Sequence, residues 1–528
     1  MCPKKVQNIP LPLAYDTPDL HTAAANALGV SVEELGAVRL LRRTLDARRR
    51  SPRFIASLEV FLPGEDPPPL WKGPNYAPSR NLSPASRPLI IGAGPAGLFA
   101  ALRLLEHGIA PLIIDRGAPV DERGRHVADL RRGGVLNEES NYCYGEGGAG
   151  TFSDGKLYTR KKHVLVRTVL EWLVAFGAPE FETLIDARPH VGTNFLIPIL
   201  KDLRQDLLAH AVDMRFHTRL IRLEYAGDPG QQHIVGAELS DGSHVECRHV
   251  ILATGHSARP LYRQLLGDGV AMTTKPTAIG FRLEHPQALI DTSQFGSQAG
   301  QGHLGPASYQ LACQSDGRGV YSFCMCPGGF VIPTPVRQGQ LNVNGMSNSN
   351  RGGQFANSAI VVTVDAQDYA RLAGPDVPEP LAGLAFQDKL ERACFELGGG
   401  GYIAPAQRIP DFLRGRVGDV PEKTSFRPGV TAADLTTIIP EALHEPLRQA
   451  LRNFSGKIRG FDSQEAVAIG LETTTSAPLQ ILRDAQHLQS TTVNGLYPCG
   501  EGAGFAGGIV SSAIDGIRVA DAIAEVLA

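Results

Sequence analysis

The sequence predicts an α/β fold: a nucleotide-binding domain on a parallel sheet, an inserted and mostly antiparallel sheet, and a small α+β module in front. Three observations predict it. First, the apolar run Leu89-Ile90-Ile91 meets Gly92-Ala93-Gly94-Pro95-Ala96-Gly97, a helical pattern follows over 98–107, and a second apolar run over 111–114 ends in Asp115. Strand, tight glycine turn, helix, strand and acid are the parts of a Rossmann-like dinucleotide unit in their proper order. Second, the chain closes on a similar device, with Leu496-Tyr497-Pro498-Cys499-Gly500-Glu501 leading through a glycine-rich turn into a helix from Ile509. Third, strand patterns dominate between 277 and 364.

Taken in order, residues 1–84 read as the N-terminal module and its linker. Strands are expected over 6–13 and 55–62. Thr17-Pro18-Asp19 opens a helix, and Ser31-Val32-Glu33-Glu34 looks like a capping box opening another. Residues 63–88 are rich in Pro, Gly and Ser, which marks a linker. Arg39, Arg42, Arg43, Arg48, Arg49 and Arg50 form a basic cluster. It suits an RNA or phosphate partner, a solvated helix end, or a face docking on the rest of the chain. The nucleotide domain is expected over 85–278 and again over 456–528, with a substrate-capping domain over 279–455. Within it, helices are expected over 164–176 and 195–211. Strands are expected over 213–224, 234–239, 244–253, 278–283, 308–313, 319–326, 341–344 and 360–364, and 365–455 reads as mixed.

At 528 residues the chain can hold several domains with their own cores. Its 43% apolar and 20% charged residues are ordinary for a globular protein, and a net charge of -3 gives no global pull toward nucleic acid or an anionic membrane. No secretory signal is expected, and the longest apolar stretch, 89–105, is broken by Gly92, Gly94, Pro95 and Gly97, so no membrane span is expected either. Eight scattered cysteines are not a disulfide scaffold, and a cytoplasmic location is the expectation.

The chemistry follows from the glycines. Gly92 makes the turn, Gly94 lets a pyrophosphate approach the backbone, and Gly97 lets helix and strand pack closely. The helix starting at Pro95-Ala96 offers free N–H groups to the phosphates, and Asp115, with Arg116 beside it, faces the ribose. This unit alone leaves NAD and FAD open. Val250-Ile251-Leu252-Ala253-Thr254-Gly255 resembles a segment of FAD enzymes of the glutathione-reductase type. The stretch Gly500-Glu501 to Gly507-Gly508-Ile509 resembles their second fingerprint, with Glu501 where Asp is usual. That resemblance implies FAD, a carboxylate on its ribityl chain, and a helix N-terminus facing the flavin N1–O2 edge. No second Rossmann unit is visible: Leu266-Gly267-Asp268-Gly269 lacks the pattern and 398–401 follows a helical segment. NAD(P)H or a protein electron donor would have to act without a Rossmann domain of its own here. The glycine loop 144–157 is expected to pass over the cofactor, with Gly147, Gly148, Ala149, Gly150, Thr151 and Ser153 against it; Leu220 is a further expected contact. Lys156 is a candidate for stabilising reduced flavin.

Gly145 to Leu157, Arg188-Pro189-His190-Val191-Gly192-Thr193, Gly255-His256-Ser257-Ala258-Arg259, Ser322-Phe323-Cys324-Met325-Cys326-Pro327-Gly328-Gly329 and Val343-Asn344-Gly345-Met346-Ser347 together resemble one family. It is the poorly characterised bacterial and plastid family of FAD-dependent dehydrogenases, distantly related to geranylgeranyl reductases and electron-transfer-flavoprotein dehydrogenases. The resemblance covers nearly the whole chain and implies an FAD fold and oxidoreductase activity. The chain departs from the pattern at Glu472-Thr473-Thr474-Thr475-Ser476-Ala477-Pro478: Thr474 stands where the family carries Arg, which removes a fixed cation. His256 is an acid/base candidate beside a structural reading, and His190 is a turn residue or a site residue. Cys324 and Cys326 alternate along an expected strand. They are a flavin-coupled redox pair, part of a metal site needing ligands from elsewhere, or buried small hydrophobes; no resident metal is expected. The expected function is hydride transfer between a small organic substrate and flavin N5. The rivals are a flavin monooxygenase and an RNA-modifying or RNA-binding flavoprotein using the arginine-rich module. The absence of a Trp-x-Trp-x-Ile-Pro motif argues against a halogenase.

Overall fold

The structure, a computed structural model, describes residues 3–48, 51–159, 162–228 and 232–528. Its centre is a five-stranded sheet in the order Leu496–Pro498, Val250–Leu252, Leu89–Ile91, Leu112–Ile114, Asp213–Arg215. All neighbouring pairs are parallel. A sheet covered on both faces needs apolar residues at every position, hence the uninterrupted runs Leu-Ile-Ile and Val-Ile-Leu. The helices Pro95–Glu106 and Ile509–Val526 lie together on one face. Gly516 permits that approach, because a Cβ there would sit 2.0 Å from Ala96 O. Because the strands are parallel, Gly92, Asp115, Ala253 and Cys499 all emerge at one edge, where ligands of open α/β sheets bind.

Two expected strands each divide between two sheets. Residues 213–224 split into Asp213–Arg215 in the parallel sheet and Leu220–Ala226 in a separate antiparallel meander, with His217 at φ +54° at the corner. Residues 244–253 split likewise into His244–Glu246 and Val250–Leu252.

The second large sheet has seven strands, in the order Ala312–Ser315, Arg318–Cys326, Phe355–Val364, Thr277–Pro286, Val467–Glu472, Ala404–Arg408, Val430–Ala432. It is antiparallel except at its last pair. The strand Val467–Glu472 lies beyond the expected boundary at 455. Every one of its six residues is buried, so it shows no alternation to announce it. The expected strand at 308–313 starts later, at Ala312. The region that read as mixed supplies the helices Ala366–Ala373, Ala382–Leu397 and His444–Ser455.

Glu284 of this sheet is buried with no cation beside it; its carboxylate accepts from Ser425 N at 3.0 Å and from Ser425 Oγ. Burial pushes its pKa up from an ordinary 4.5 to about 7. The folded form therefore holds this proton more tightly than the unfolded chain does. The group's contribution is complete below about pH 4.5 and is lost as pH rises through about 7, a difference of about 3 kcal/mol. Denaturant titrations at pH 5 and pH 9 should show a loss in the native protein to which the buried Glu146, also raised to about 7, contributes; Glu284→Gln should shrink that loss by about 3 kcal/mol.

The N-terminal module is a three-stranded antiparallel sheet, Lys4–Leu11, Arg53–Val60, Val38–Asp46, with the helix Thr17–Leu28 packed on it. The capping box at Ser31 forms, but only the turn Val32–Glu34 follows it. Gly36 N bonds Phe61 O at 2.9 Å and draws the chain into the sheet. Arg39, Arg42 and Arg43 are consequently on the strand Val38–Asp46, with Arg48 two residues past its end. Arg39 pairs with Glu59, and Arg48 with Asp46. Arg43 docks the module on the main body: it pairs with Asp186 at 2.6 Å between the rings of Phe54 and Phe181. Arg49, Arg50 and Cys2 lie outside the described residues. Among the described residues, no helix is long and apolar enough to cross a membrane.

Candidate active site

A cavity of about 610 Å³ opens at the carboxyl edge of the parallel sheet and reaches the antiparallel sheet, well within the size range of ligand-burying pockets. Gly92, Gly94, Pro95, Ala96, Asp115, Arg116, Leu220, Ala253, Thr254 and Gly255 line it from the first side. The glycine loop contributes Gly148, Ala149, Gly150, Ser153 and Lys156, and the C-terminal turn Glu501, Gly507, Gly508 and Ile509. His256 lines it too. The seven-stranded sheet adds Phe323, Cys324 and Cys326, a separate two-stranded ribbon (Phe330–Pro333 with Val343–Met346) adds Ile332, Asn344 and Gly345, and nearby segments add Asn342 and Thr474.

Gly97, Gly147, Thr151 and Gly500 do not line the cavity; they shape its walls from behind. A Cβ on Gly97 would lie 2.0 Å from Gly92 O, and one on Gly147 2.2 Å from Thr151 Oγ1. Thr151 Oγ1 is committed to Glu146 O at 3.0 Å. Gly500, at φ +74°, donates its N–H to Asp515 at 2.8 Å.

The walls suit a long dinucleotide. The helices Pro95–Glu106 and Ile509–Val526 begin at Gly94 and Gly508, and neither has a side-chain cap. Their first-turn N–H groups therefore need an acceptor from outside the chain. Above Gly94 there is room, the nearest atom to an added Cβ being Gly148 Cα at 3.7 Å. Asp115 is buried and held by Ala93 N and Gly117 N, both at 2.8 Å, one on each oxygen; a second lone pair on each oxygen remains for ribose hydroxyls. Arg116 packs its guanidinium 4.2 Å over the Tyr144 ring and pairs with Glu139. These residues would hold FAD.

The loop over the cavity is organised by a residue that the sequence pattern does not announce. Arg123, 0% exposed, donates to the carbonyls of Asn141, Tyr142, Glu146 and Gly148 at 2.6–2.9 Å and to Thr151 Oγ1 at 3.1 Å. In the sequence it looks like one more charged position on a helix surface.

Within the cavity, His256 Nδ1 bonds Ser257 Oγ at 2.7 Å. Burial lowers the imidazole's pKa, so the ring is neutral at pH 7. Burial raises that of the Glu501 carboxyl, opposed by His256 and Lys275.

Cys324 and Cys326 both line the cavity, but not as regular alternating strand residues. The strand bulges between Phe323 and Cys326, and Cys324 takes φ +44°, in the left-handed region. Cys326 is 1% exposed, whereas Cys324 is open to the cavity. Arg282 holds the bulge, donating to Cys324 O and to Cys326 Sγ at 3.3 Å. Burial pushes the Cys324 thiol up to about 12 and raises that of Cys326, so neither is a thiolate at neutral pH. Arg282 is itself buried against Glu472 at 2.8 Å and Asn357 at 2.7 Å. Gly345 makes room for it: a Cβ there would lie 2.1 Å from Arg282 Nη2. Lys156 Nζ donates to Met325 O and lies 3.6 Å from Asp154. Burial pulls its pKa down, but the net shift is upward and it stays charged. His190 lies on the loop's flank, its ring nitrogen 3.2 Å from Ser349 O, outside the cavity wall. Among the described residues, no group of three or more His, Cys, Asp or Glu is placed to hold a metal.

Fold and site together define an FAD-binding flavoprotein of the oxidoreductase type. Residues 86–276 match the model of an FAD binding domain, 276–475 that of the FAD-dependent protein C-terminal domain, and 3–61 a domain of unknown function. An uncharacterized protein of Clostridium beijerinckii is 38% identical over 544 residues, covering 99% of this chain and 98% of its own. The chain belongs to the family of FAD-dependent proteins that this relative represents. Among solved structures, it is similar to a geranylgeranyl bacteriochlorophyll reductase-like protein from Thermoplasma acidophilum, at 12% identity and a TM-score of 0.34 over 84% of this chain and 78% of that one. A flavoprotein/dehydrogenase from Cytophaga hutchinsonii is similar at 12% and 0.32 over the same shares. At such scores the likeness says nothing about chemistry.

Proposed function

We propose that the protein moves a hydride between a small organic substrate and bound FAD, with the substrate on the antiparallel-sheet side of the cavity. Bound FAD supplies two-electron redox chemistry at its isoalloxazine ring. The observation that carries the reading is the continuity of one cavity from the Gly94 helix turn to Asn344 and Thr474. In this reading a second molecule sits at the far end, beyond the helix termini that face the dinucleotide. In this reading the uncapped N-terminus at Gly508 favours negative charge on the ring, and the apolar wall of Phe323 and Ile332 excludes water from the substrate. His256, neutral and tied through Nδ1, would exchange a proton with substrate through its other nitrogen. Cys324 and Cys326 serve as wall and brace.

Anaerobic mixing with NADH, NADPH and a panel of small organic acids and alcohols tests this. One donor should bleach the flavin's yellow colour. His256→Asn should slow that bleaching by about 10²-fold or more with flavin content unchanged. Oxygen uptake coupled to hydroxylation of an added substrate would instead identify a monooxygenase.

A further inference from the structure

We infer that the antiparallel-sheet end of the cavity is a carboxylate-binding subsite, seating an organic acid between the Lys156 ammonium and the Asn344 amide; this rests on, and sharpens, the oxidoreductase reading above. Both side chains line the cavity. An ammonium has three donors. Lys156 gives one to Met325 O, and Asp154 at 3.6 Å is beyond hydrogen-bond reach. Asp154 is in any case satisfied, by Arg351 at 2.8 Å and by Ser347 Oγ. Asn344 is oriented by chemistry: Gly345 N–H donates to it at 2.7 Å, so the atom turned to the backbone is the amide oxygen. Its NH₂ group is left to donate into the cavity.

The surrounding charge agrees. Three cations, Lys156, Arg282 and Arg351, stand against two carboxyls, Asp154 and Glu472. Phe323 and Ile332 beside them offer an apolar seat for the body of the acid. The flavin's own developing charge has a different partner available, the uncapped helix at Gly508. Lys156 is thereby left for substrate.

The test titrates flavin-loaded protein with benzoate and with benzamide, equal in size and different in charge, and follows the flavin absorbance. Benzoate should bind about tenfold or more tightly than benzamide, as a charge-assisted pair gives. Lys156→Met should abolish that preference while leaving benzamide binding unchanged, Lys156→Arg should keep it, and Asn344→Leu should reduce it about threefold. Equal affinities for the two probes, or no perturbation by either, overturns the inference. So does a Lys156→Met protein that weakens both alike, which would mean that Lys156 only braces the bulge at Met325. Asn344→Leu reads the same subsite should Lys156→Met fail to fold. The titration reads occupancy and not turnover. A protein that binds benzoate here yet is bleached by no donor fails the redox reading alone.

Discussion

Gly94→Val is expected to give a folded, colourless protein. Gly94 sits at φ -83° and ψ -177°, a conformation open to any residue, and an added Cβ would meet nothing closer than 3.7 Å. The fold therefore tolerates the side chain, and its stability without FAD should stay within about 1 kcal/mol of the parent's. The branched methyls instead occupy the space before the N-terminus of Pro95–Glu106, which a pyrophosphate must enter to reach the N–H groups. FAD affinity should fall by at least about 100-fold, roughly 3 kcal/mol. Thermal unfolding separates the two effects: added FAD should raise the midpoint of the parent by mass action and leave that of the variant where it was. A variant that keeps its flavin refutes the assignment of this turn to the cofactor.

The neighbouring glycines would answer differently, which is what makes Gly94 the informative position. A Cβ on Gly92 would lie 2.4 Å from Ala253 O, and one on Gly97 2.0 Å from Gly92 O. Those glycines hold the fold together and only Gly94 faces an open space, although the three look alike in the motif.

The contrast explains what could be read from the sequence. Glycine turns are legible because the requirement is local: a tight turn and a close backbone approach leave the same residues in the same order wherever they occur. Three of the parallel strands are legible for a similar reason, as short apolar runs that lead into a glycine turn or an acid. The capping sheet was partly legible. Its bulge at Cys324 was not, since a left-handed cysteine carries no mark in the sequence. Least visible were the buried arginines. Arg259 meets Glu391 across 132 positions and Arg282 meets Glu472 across 190. A charged residue reads as surface until its partner is known, and no periodicity links partners so far apart. Arg43 shows the same limit, since its docking partner Asp186 lies on another part of the chain.

Arg123 is where that blind spot bears most on the cofactor. Arg123→Met should destabilise the protein by about 3–5 kcal/mol and release its flavin. The loop it holds contains Gly147 at φ +79° and Gly148 at φ +61°, conformations with little intrinsic preference to persist. What keeps the loop in place is the guanidinium, whose planar fork reaches the carbonyls of Asn141, Tyr142, Glu146 and Gly148 at once. Methionine fills similar volume and offers no donor, so those carbonyls are left unpaired at about 1–3 kcal/mol for each one that water does not reach. Lysine keeps the charge but not the fork, and Arg123→Lys should recover only a small part of the loss. Burial brings the Arg123 pKa down to about 10, so the group is still charged at neutral pH and the network operates across the ordinary range. Urea unfolding of the FAD-free proteins measures the structural share, and equilibrium dialysis of FAD the share passed to the cavity through Gly148 and Gly150. An Arg123→Lys protein as stable as the parent would show that charge alone supports the loop and that the fork is incidental.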